Sequence, residues 1–173
     1  DLEIFDIHKS DLDGGSLRVF WKKRKNKNIK VKQDVIKKTI KEEEKYGLHS
    51  IKAYKDFEDR VLNLKKETLT QLKKLKGDKK KIVGYGAAAK ANVLLNYFKI
   101  DKKIIDYIVD STPYKQGLFT PGTHIPIYPE DKIYETNPDY VLIFAWNFSK
   151  EIIDKNKNYK GKFIVVEPEF KLI

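Results

Sequence analysis

The residues best suited to chemistry form a glycine-rich turn in the second half of the chain. The turn follows a short apolar run, fits the pattern Gly-x-Gly-x-x-Ala, and reads Gly84-Tyr85-Gly86-Ala87-Ala88-Ala89. In such a turn the first glycine permits a tight bend, the second lets a pyrophosphate approach the backbone, and the small third residue packs helix against strand. Free amides at the helix start then face the anion. Glycine and alanine also serve simple strand-to-helix packing, so the pattern alone fits a phosphate site or a structural turn.

Two charged residues close to this turn favour a phosphate ligand. Lys90 lies in the first turn of the predicted helix, where a cation opposes the helix dipole at a cost of up to ~1 kcal/mol. A phosphate bound at the same end would make the position favourable for a cation. Asp110 comes 26 residues after Gly84, at the predicted end of the next strand, where such domains place the acid that accepts ribose hydroxyls. The lysine can also extend to water or meet a carboxylate, and the aspartate can cap a turn. Together they favour a nucleotide or its diphosphate sugar over an uncharged ligand.

A regular alternation of strands and helices over residues 78–173 must position these groups. Short apolar runs predict the strands, and the longer stretches between them predict the helices. Connections of this length argue for βαβ units, so we predict an α/β fold, a Rossmann-like mostly parallel sheet with flanking helices. The predicted strands cover 81–83, 104–109, 140–145 and 163–166, with a short element at 125–127, and the predicted helices cover 87–98, 129–134 and 148–156.

Two smaller segments precede this sheet. Residues 1–31 are β-like, with two short strands around a turn at 13–16, and suggest a linker from a preceding domain. The basic run at 22–30 predicts a solvated, flexible connection, because like charges in a row repel. Residues 32–77 predict a helical pair whose second helix carries an apolar stripe. We expect that stripe to be buried against the domain or a second copy, as in a homodimer, and its members are Tyr54, Phe57, Val61, Leu64, Leu72 and Leu75.

Composition excludes several classes of protein. The chain has no cysteine, which rules out a disulfide scaffold, a thiolate metal site and a cysteine nucleophile, and we expect no metal site. No apolar run approaches the ~20 residues that span a bilayer and no signal peptide opens the chain, so we expect a cytoplasmic protein with no membrane partner. The absence of methionine, even at position 1, predicts a piece of a longer gene product.

The charge balance favours anionic partners. Thirty-six Lys and Arg against 25 Asp and Glu give a net charge of +11, which suits nucleic acid, an acidic membrane surface or a phosphorylated small molecule. The lysines are spread along the chain with acids between them, and no nucleic-acid reading motif is present. We therefore expect a phosphorylated small molecule and no nucleic acid.

Several ordered motifs accompany the glycine turn. They are Gly14-Gly15-Ser16-Leu17-Arg18, the turn with its Lys90, Asp106-Tyr107-Ile108-Val109-Asp110, Lys115-Gln116-Gly117, Pro121-Gly122-Thr123-His124-Ile125-Pro126-Ile127 and Ala145-Trp146-Asn147-Phe148. This series, from about residue 13 to residue 168, resembles the C-terminal domain of SAM-dependent C-methyltransferases acting on nucleotide-linked deoxysugars. Members of that family carry an N-terminal zinc module and a central domain that holds S-adenosyl-L-methionine.

The resemblance implies that this chain is the domain that helps to bind a nucleotide-diphosphate sugar. The methyltransferase domain of the same polypeptide would then be its partner and would bind SAM, and no cofactor is expected in this chain. The isolated chain is not expected to catalyse the reaction. The alternative is a stand-alone dinucleotide- or CoA-binding Rossmann module, because the fold hosts many chemistries.

One position departs from the family pattern. Related sequences commonly have His where this chain has Asp13, directly before the Gly-Gly-Ser motif. Methylation next to a ketone needs a base, and His, with a pKa near ~6.5, suits that task better than Asp at ~3.9 unless burial raises the aspartate pKa. Three interpretations follow: Asp13 is an altered base, the reaction differs from the usual one of the family, or Asp13 is an ordinary Asp-Gly turn residue.

The resemblance also extends the candidate substrate site beyond the glycine turn and Asp110. It implies that Ser16 and Arg18 reach a substrate phosphate and that Lys115 contacts a phosphate or sugar. Arg18 is otherwise a surface residue. The remaining candidates are His124, which alternatively shapes its turn, Trp146, which stacks on a base or packs in the core, and the adjacent Asn147.

Overall fold

A computed structural model describes residues 1–166 and 168–173, without the side chain of Asp13. The chain divides into two compact units, Asp1–Arg60 and Val61–Ile173. The boundary falls within a long helix. The predicted functional division into segments 1–31, 32–77 and 78–173 stays a prediction.

The first unit contains an antiparallel strand pair and a helix. The elements are β1 (Leu2–Ser10), a 3₁₀ turn (Leu12–Gly14), β2 (Ser16–Lys23) and α1 (Gln33–Lys45). The prediction of a solvated basic connection from residue 22 was wrong at its start. Lys22 is only 6% exposed, because β2 extends through it and its ammonium lies 2.8 Å from the Glu3 carboxylate.

The helix α2 (Ile51–Gly77) continues from the first unit into the second. Its predicted apolar stripe is buried only in part. Leu72 is fully buried and Leu64 and Leu75 pack against the core, as expected. Tyr54 and Phe57 are 55% and 58% exposed, so the described residues of this chain do not bury the apolar side chains on the first turns of the helix. Burial of that half by a second copy stays a prediction.

The second unit is built on a six-stranded sheet, with the strands Ile82–Tyr85 (β3), Ile108–Val109 (β4), Ile127–Tyr128 (β5), Tyr140–Ile143 (β6), Lys162–Val165 (β7) and Lys171–Leu172 (β8). Their order in the sheet is β5-β4-β3-β6-β7-β8, and only the β7–β8 pair is antiparallel. The prediction of an α/β, Rossmann-like and mostly parallel sheet is confirmed. The helices that connect these strands are α3 (Ala89–Phe98), α4 (Lys132–Thr136) and α5 (Ser149–Lys155).

Several element bounds differ from the sequence prediction. The strand predicted at 104–109 is only β4, because Ile104 and Ile105 lie in a turn and both amides bond the Asp101 carbonyl at 3.0 Å. Ile105 is apolar because its side chain fills the core, without any strand pairing of its backbone. The helix predicted from residue 129 begins three residues later, and β8 was not predicted.

Both faces of the sheet are covered. Along β3 the side chains alternate, so that Ile82 joins one apolar cluster while Val83 and Tyr85 join the other. Gly84 faces the ring of Phe144, and a β-carbon there would lie 2.6 Å from a ring atom. The glycine thus lets the sheet pack closely just before the turn that follows β3.

Candidate functional site

The glycine turn joins β3 to α3 as the sequence predicts. Gly86 has a φ of +93°, and a β-carbon there would lie 3.1 Å from the β-carbon of Ala145, so both backbone and space favour glycine. The helix begins at Ala89, two residues later than predicted, with Ala88 as its N-cap. Lys90 is therefore the second residue of the helix.

The first amide after Gly86 already has a partner. Asp110 follows β4 and is buried, and its carboxylate accepts the Ala87 N–H at 2.6 Å and the Thr112 N–H at 2.8 Å. The Lys115 ammonium lies 3.3 Å from the same carboxylate. The sequence placed Asp110 and the turn at the same edge of the sheet, but it did not reveal this bond between them.

These contacts decide the charge state of Asp110. Burial alone raises the pKa of its carboxyl group, but the hydrogen bonds from Thr112 and the nearby Lys115 ammonium outweigh burial. The pKa therefore lies below its ordinary value, and the group is ionised near neutral pH. The turn thus contains a fixed negative charge directly at its first amide.

A cavity of about 420 Å³ lies beside the turn, at the carboxyl ends of β3 and β4, where open α/β sheets bind ligands. Its walls combine apolar side chains with ionisable groups. The apolar part comes from Ala88, Ala145, Phe148 and Ile152, and the polar part includes Tyr85, Asp110, Thr112, Glu130, Glu151 and Lys155.

A hydrogen-bonded chain forms one wall of this cavity. The buried Tyr85 hydroxyl donates to one oxygen of the Glu130 carboxylate, and the Lys155 ammonium lies 2.5 Å from the other oxygen. Burial and the Glu130 carboxylate raise the pKa of Tyr85, so its hydroxyl keeps its proton. Sequence reasoning missed Glu130 and Lys155. The available signal was that Glu130 follows β5, whose carboxyl end lies at the same sheet edge.

Several other candidate residues of the second unit lie outside the described lining of the cavity. The Lys90 ammonium lies 5.4 Å from the ring centre of Trp146, which also packs against both apolar clusters. His124 has a φ of +51° and its amide bonds the Thr120 carbonyl, which fits its alternative role in shaping a turn. Within the described part of the chain, the residues that line the cavity do not include Lys90, Lys115, His124, Trp146 or Asn147.

Three candidates belong to the first unit. Ser16 and Arg18 lie on β2, paired with Ser10 and His8 of β1. The Ser16 hydroxyl donates to the Leu12 carbonyl at 2.9 Å. The backbone of Asp13 lies in the 3₁₀ turn, and its side chain lies outside the described residues. Their predicted roles toward a substrate stay predictions.

The described residues contain neither a metal-binding cluster nor a membrane-spanning helix. Over 1–166 and 168–173, no group of three or more His, Asp and Glu side chains is arranged to hold a metal ion. In the same part of the chain, no helix has the length and apolar character needed to cross a membrane.

Comparisons with known proteins agree with the sequence motifs. Residues 11–168 match the family model described as "C-methyltransferase C-terminal domain". The C-methyltransferase NovU of Streptomyces niveus is 31% identical over 175 residues, which cover 99% of this chain and 41% of that protein. Among solved structures, the UDP-D-quinovosamine 4-dehydrogenase of Vibrio fischeri aligns with a TM-score of 0.41 and 19% identity, over 54% of this chain and 93% of that one. The family match covers most of the chain, and the chain belongs to the family of C-methyltransferase C-terminal domains.

Proposed function

We propose that the chain is the nucleotide-sugar-binding domain of a SAM-dependent C-methyltransferase. In the full-length enzyme, a methyl group passes from SAM to a carbon of the sugar. The observation that supports this most is the cavity of about 420 Å³ beside the glycine turn, at the carboxyl end of a parallel sheet. The family match supplies the reaction class.

A preceding domain holds SAM in this proposal. The chain spans 41% of the length of NovU, so most of that relative lies outside the region of similarity. Within the proposal, Lys90 and Lys115 of the second unit are the contacts for the phosphates and sugar. The partners of the chain are then the nucleotide-diphosphate sugar and the methyltransferase domain of the same polypeptide.

A second candidate function rests on the same turn. Asp110 occupies the strand end at which dinucleotide-binding folds hold a ribose, which favours a stand-alone dinucleotide or CoA module. The family match weighs against it, because the match extends over residues 11–168 and not over the turn alone. The two functions predict different ligands for the same chain.

A binding screen separates them. We expect UDP, TDP and their glucose esters at millimolar concentration to raise the melting temperature of the chain by a few degrees, and titration with NADH or CoA to show weaker binding. Asp110→Asn should reduce the shift, whereas Glu169→Gln, which alters an exposed ion pair with Lys171, should leave it unchanged. Saturable NADH binding tighter than that of every nucleotide sugar would contradict the proposal.

A further inference from the structure

The cavity and its hydrogen-bonded wall indicate which part of the ligand enters. We propose that the cavity holds the nucleoside part of the ligand and excludes its diphosphate, and that Glu130, oriented by Tyr85 and Lys155, accepts a hydroxyl of that nucleoside. This inference rests on the proposed function and assigns a specificity-determining role to a residue outside the glycine turn.

The glycine turn does not offer its first amide to a phosphate. The Ala87 N–H donates to the buried Asp110 carboxylate at 2.6 Å. A phosphate oxygen at this amide would have to displace that carboxylate and remain close to its negative charge. The Asp110 pKa lies below its ordinary value, so protonation does not remove this repulsion near neutral pH.

The charges around the cavity oppose a second anion. Among the described lining residues, three are carboxylates, Asp110, Glu130 and Glu151, and one is an ammonium, Lys155. That ammonium lies 2.5 Å from Glu130, so its charge is already partly compensated. Ionised carboxylates only accept hydrogen bonds. The wall therefore suits an uncharged ligand group that donates hydrogen bonds. The hydroxyls of a nucleoside ribose are such groups.

Glu130 is held ready to accept a further hydrogen bond. Its two oxygens take one donor each, the Tyr85 hydroxyl and the Lys155 ammonium. Each carboxylate oxygen has about two acceptor positions, so both oxygens retain acceptor capacity. Tyr85 is buried in the core, which fixes the orientation of the carboxylate from below.

The rest of the cavity fits the flat base of a nucleoside. Ala88, Ala145 and Ile152 supply small or aliphatic surface, and the Phe148 ring is 59% exposed beside them. An exposed aromatic side chain at a cavity rim can stack on a base. The volume of about 420 Å³ lies at the lower end of the ~300–1,000 Å³ that is usual for small-molecule sites.

Amide NMR of the chain with three separate probes tests the inference. We expect uridine or thymidine to shift the amide signals of Tyr85, Glu130 and Phe148, and inorganic pyrophosphate to leave the Ala87 amide unchanged. Glu130→Gln should weaken nucleoside and UDP-glucose binding about tenfold. Glu135→Gln, on the exposed face of α4, is the matched control and should bind as the unaltered chain does.

The amide spectrum of each variant also reports whether it folds, and Phe148→Ala supplies a second variant at an exposed position, with several-fold weaker nucleoside binding expected. A pyrophosphate-induced shift at Ala87 overturns the inference. So does unchanged nucleoside affinity in both Glu130→Gln and Phe148→Ala. If UDP-glucose still binds in those cases, the proposed function stands and only the inference falls. If neither nucleosides nor nucleotide sugars bind, both fall.

Discussion

The two ends of the six-stranded sheet differ in charge. At the carboxyl end lies the cavity of about 420 Å³, with apolar side chains and carboxylates in its walls. At the amino end lies a cleft of about 360 Å³ whose charged lining residues are Lys80, Lys160, Lys162 and Asp139. Among the described residues that line the two cavities, lysines therefore predominate at the amino end and carboxylates at the carboxyl end.

This difference shows that the net charge of the chain does not predict the charges that line an individual cavity. A value of +11 indicates an anionic partner for the whole chain, yet three carboxylates and one ammonium are the charged groups that line the carboxyl-end cavity among the described residues. Net charge describes attraction at a distance, whereas specificity depends on the groups within hydrogen-bond reach. The contrast between the two ends can be tested through residues that have counterparts at both.

The largest effect is expected in the strand that leads to the carboxyl-end cavity. In Gly84→Ala the new β-carbon would lie 2.6 Å from a Phe144 ring atom and 2.8 Å from an Ile108 side-chain atom, both fully buried. We expect the free energy of unfolding in urea to fall by about 1–3 kcal/mol. Gly77→Ala is the control, because nothing lies within 4 Å of its β-carbon. Equal stability of the two variants would show that β3 moves to make room.

A pair of aspartates compares the two ends directly. Asp110 is buried and accepts hydrogen bonds from two backbone amides, whereas Asp139 is partly exposed and bonds the Lys81 amide and the Lys80 ammonium. We expect Asp110→Asn to lower the free energy of unfolding by about 1–2 kcal/mol and Asp139→Asn to lower it less. Urea denaturation of both variants at pH 7 measures the difference, and the reverse order would contradict it.

The same aspartates predict how stability depends on pH. The pKa of each carboxyl group is lowered. At Asp110, hydrogen bonds and the Lys115 ammonium outweigh the opposing effect of burial. At Asp139, the hydrogen bonds from the Lys81 amide and the Lys80 ammonium lower the pKa. The unfolded chain binds these protons near the ordinary value of ~3.9, so their stabilisation is complete above that pH and is lost as pH falls through the folded values. As the pH falls below about 4, we expect Asp110→Asn to lose less stability than the unaltered chain, and a parallel loss would contradict this.

Whether the sequence predicts a feature of the fold or site depends on how far apart along the chain the interacting residues lie. The glycine turn and the strand end at Asp110 follow local patterns of glycine spacing and apolar runs, and both were predicted. The Tyr85–Glu130–Lys155 chain joins residues 45 and 25 positions apart, and only the strand order brings them together. Lys22 was misread for the same reason, because its burial depends on Glu3, a partner on the neighbouring strand that the local run of positive charge does not reveal.

Two buried tyrosines offer a smaller comparison. The Tyr85 hydroxyl donates to Glu130 at the carboxyl end, and the Tyr159 hydroxyl donates to the Pro138 carbonyl at 2.7 Å toward the amino end. Each Tyr→Phe change should cost about 1 kcal/mol of unfolding free energy, since an acceptor that is buried (Pro138) or partly buried (Glu130) loses a donor. Only Tyr85→Phe should weaken uridine binding, measured by calorimetry. Weakened binding in Tyr159→Phe would remove the distinction between the two ends.

The smallest effect is expected from the exposed cation at the amino end. Lys80 pairs with Asp139 at 3.1 Å, and the pairing raises the pKa of its ammonium, but exposed ion pairs contribute little to stability because water and salt screen them. Lys80→Gln should therefore leave the free energy of unfolding and the uridine affinity unchanged within error. Titration with pyrophosphate provides the sharper measurement. Weak binding of pyrophosphate at this end should shift the amide NMR signals near Lys80, Lys160 and Lys162, and these shifts should disappear in 0.5 M salt. Salt-resistant shifts at the glycine turn would reverse the roles of the two ends.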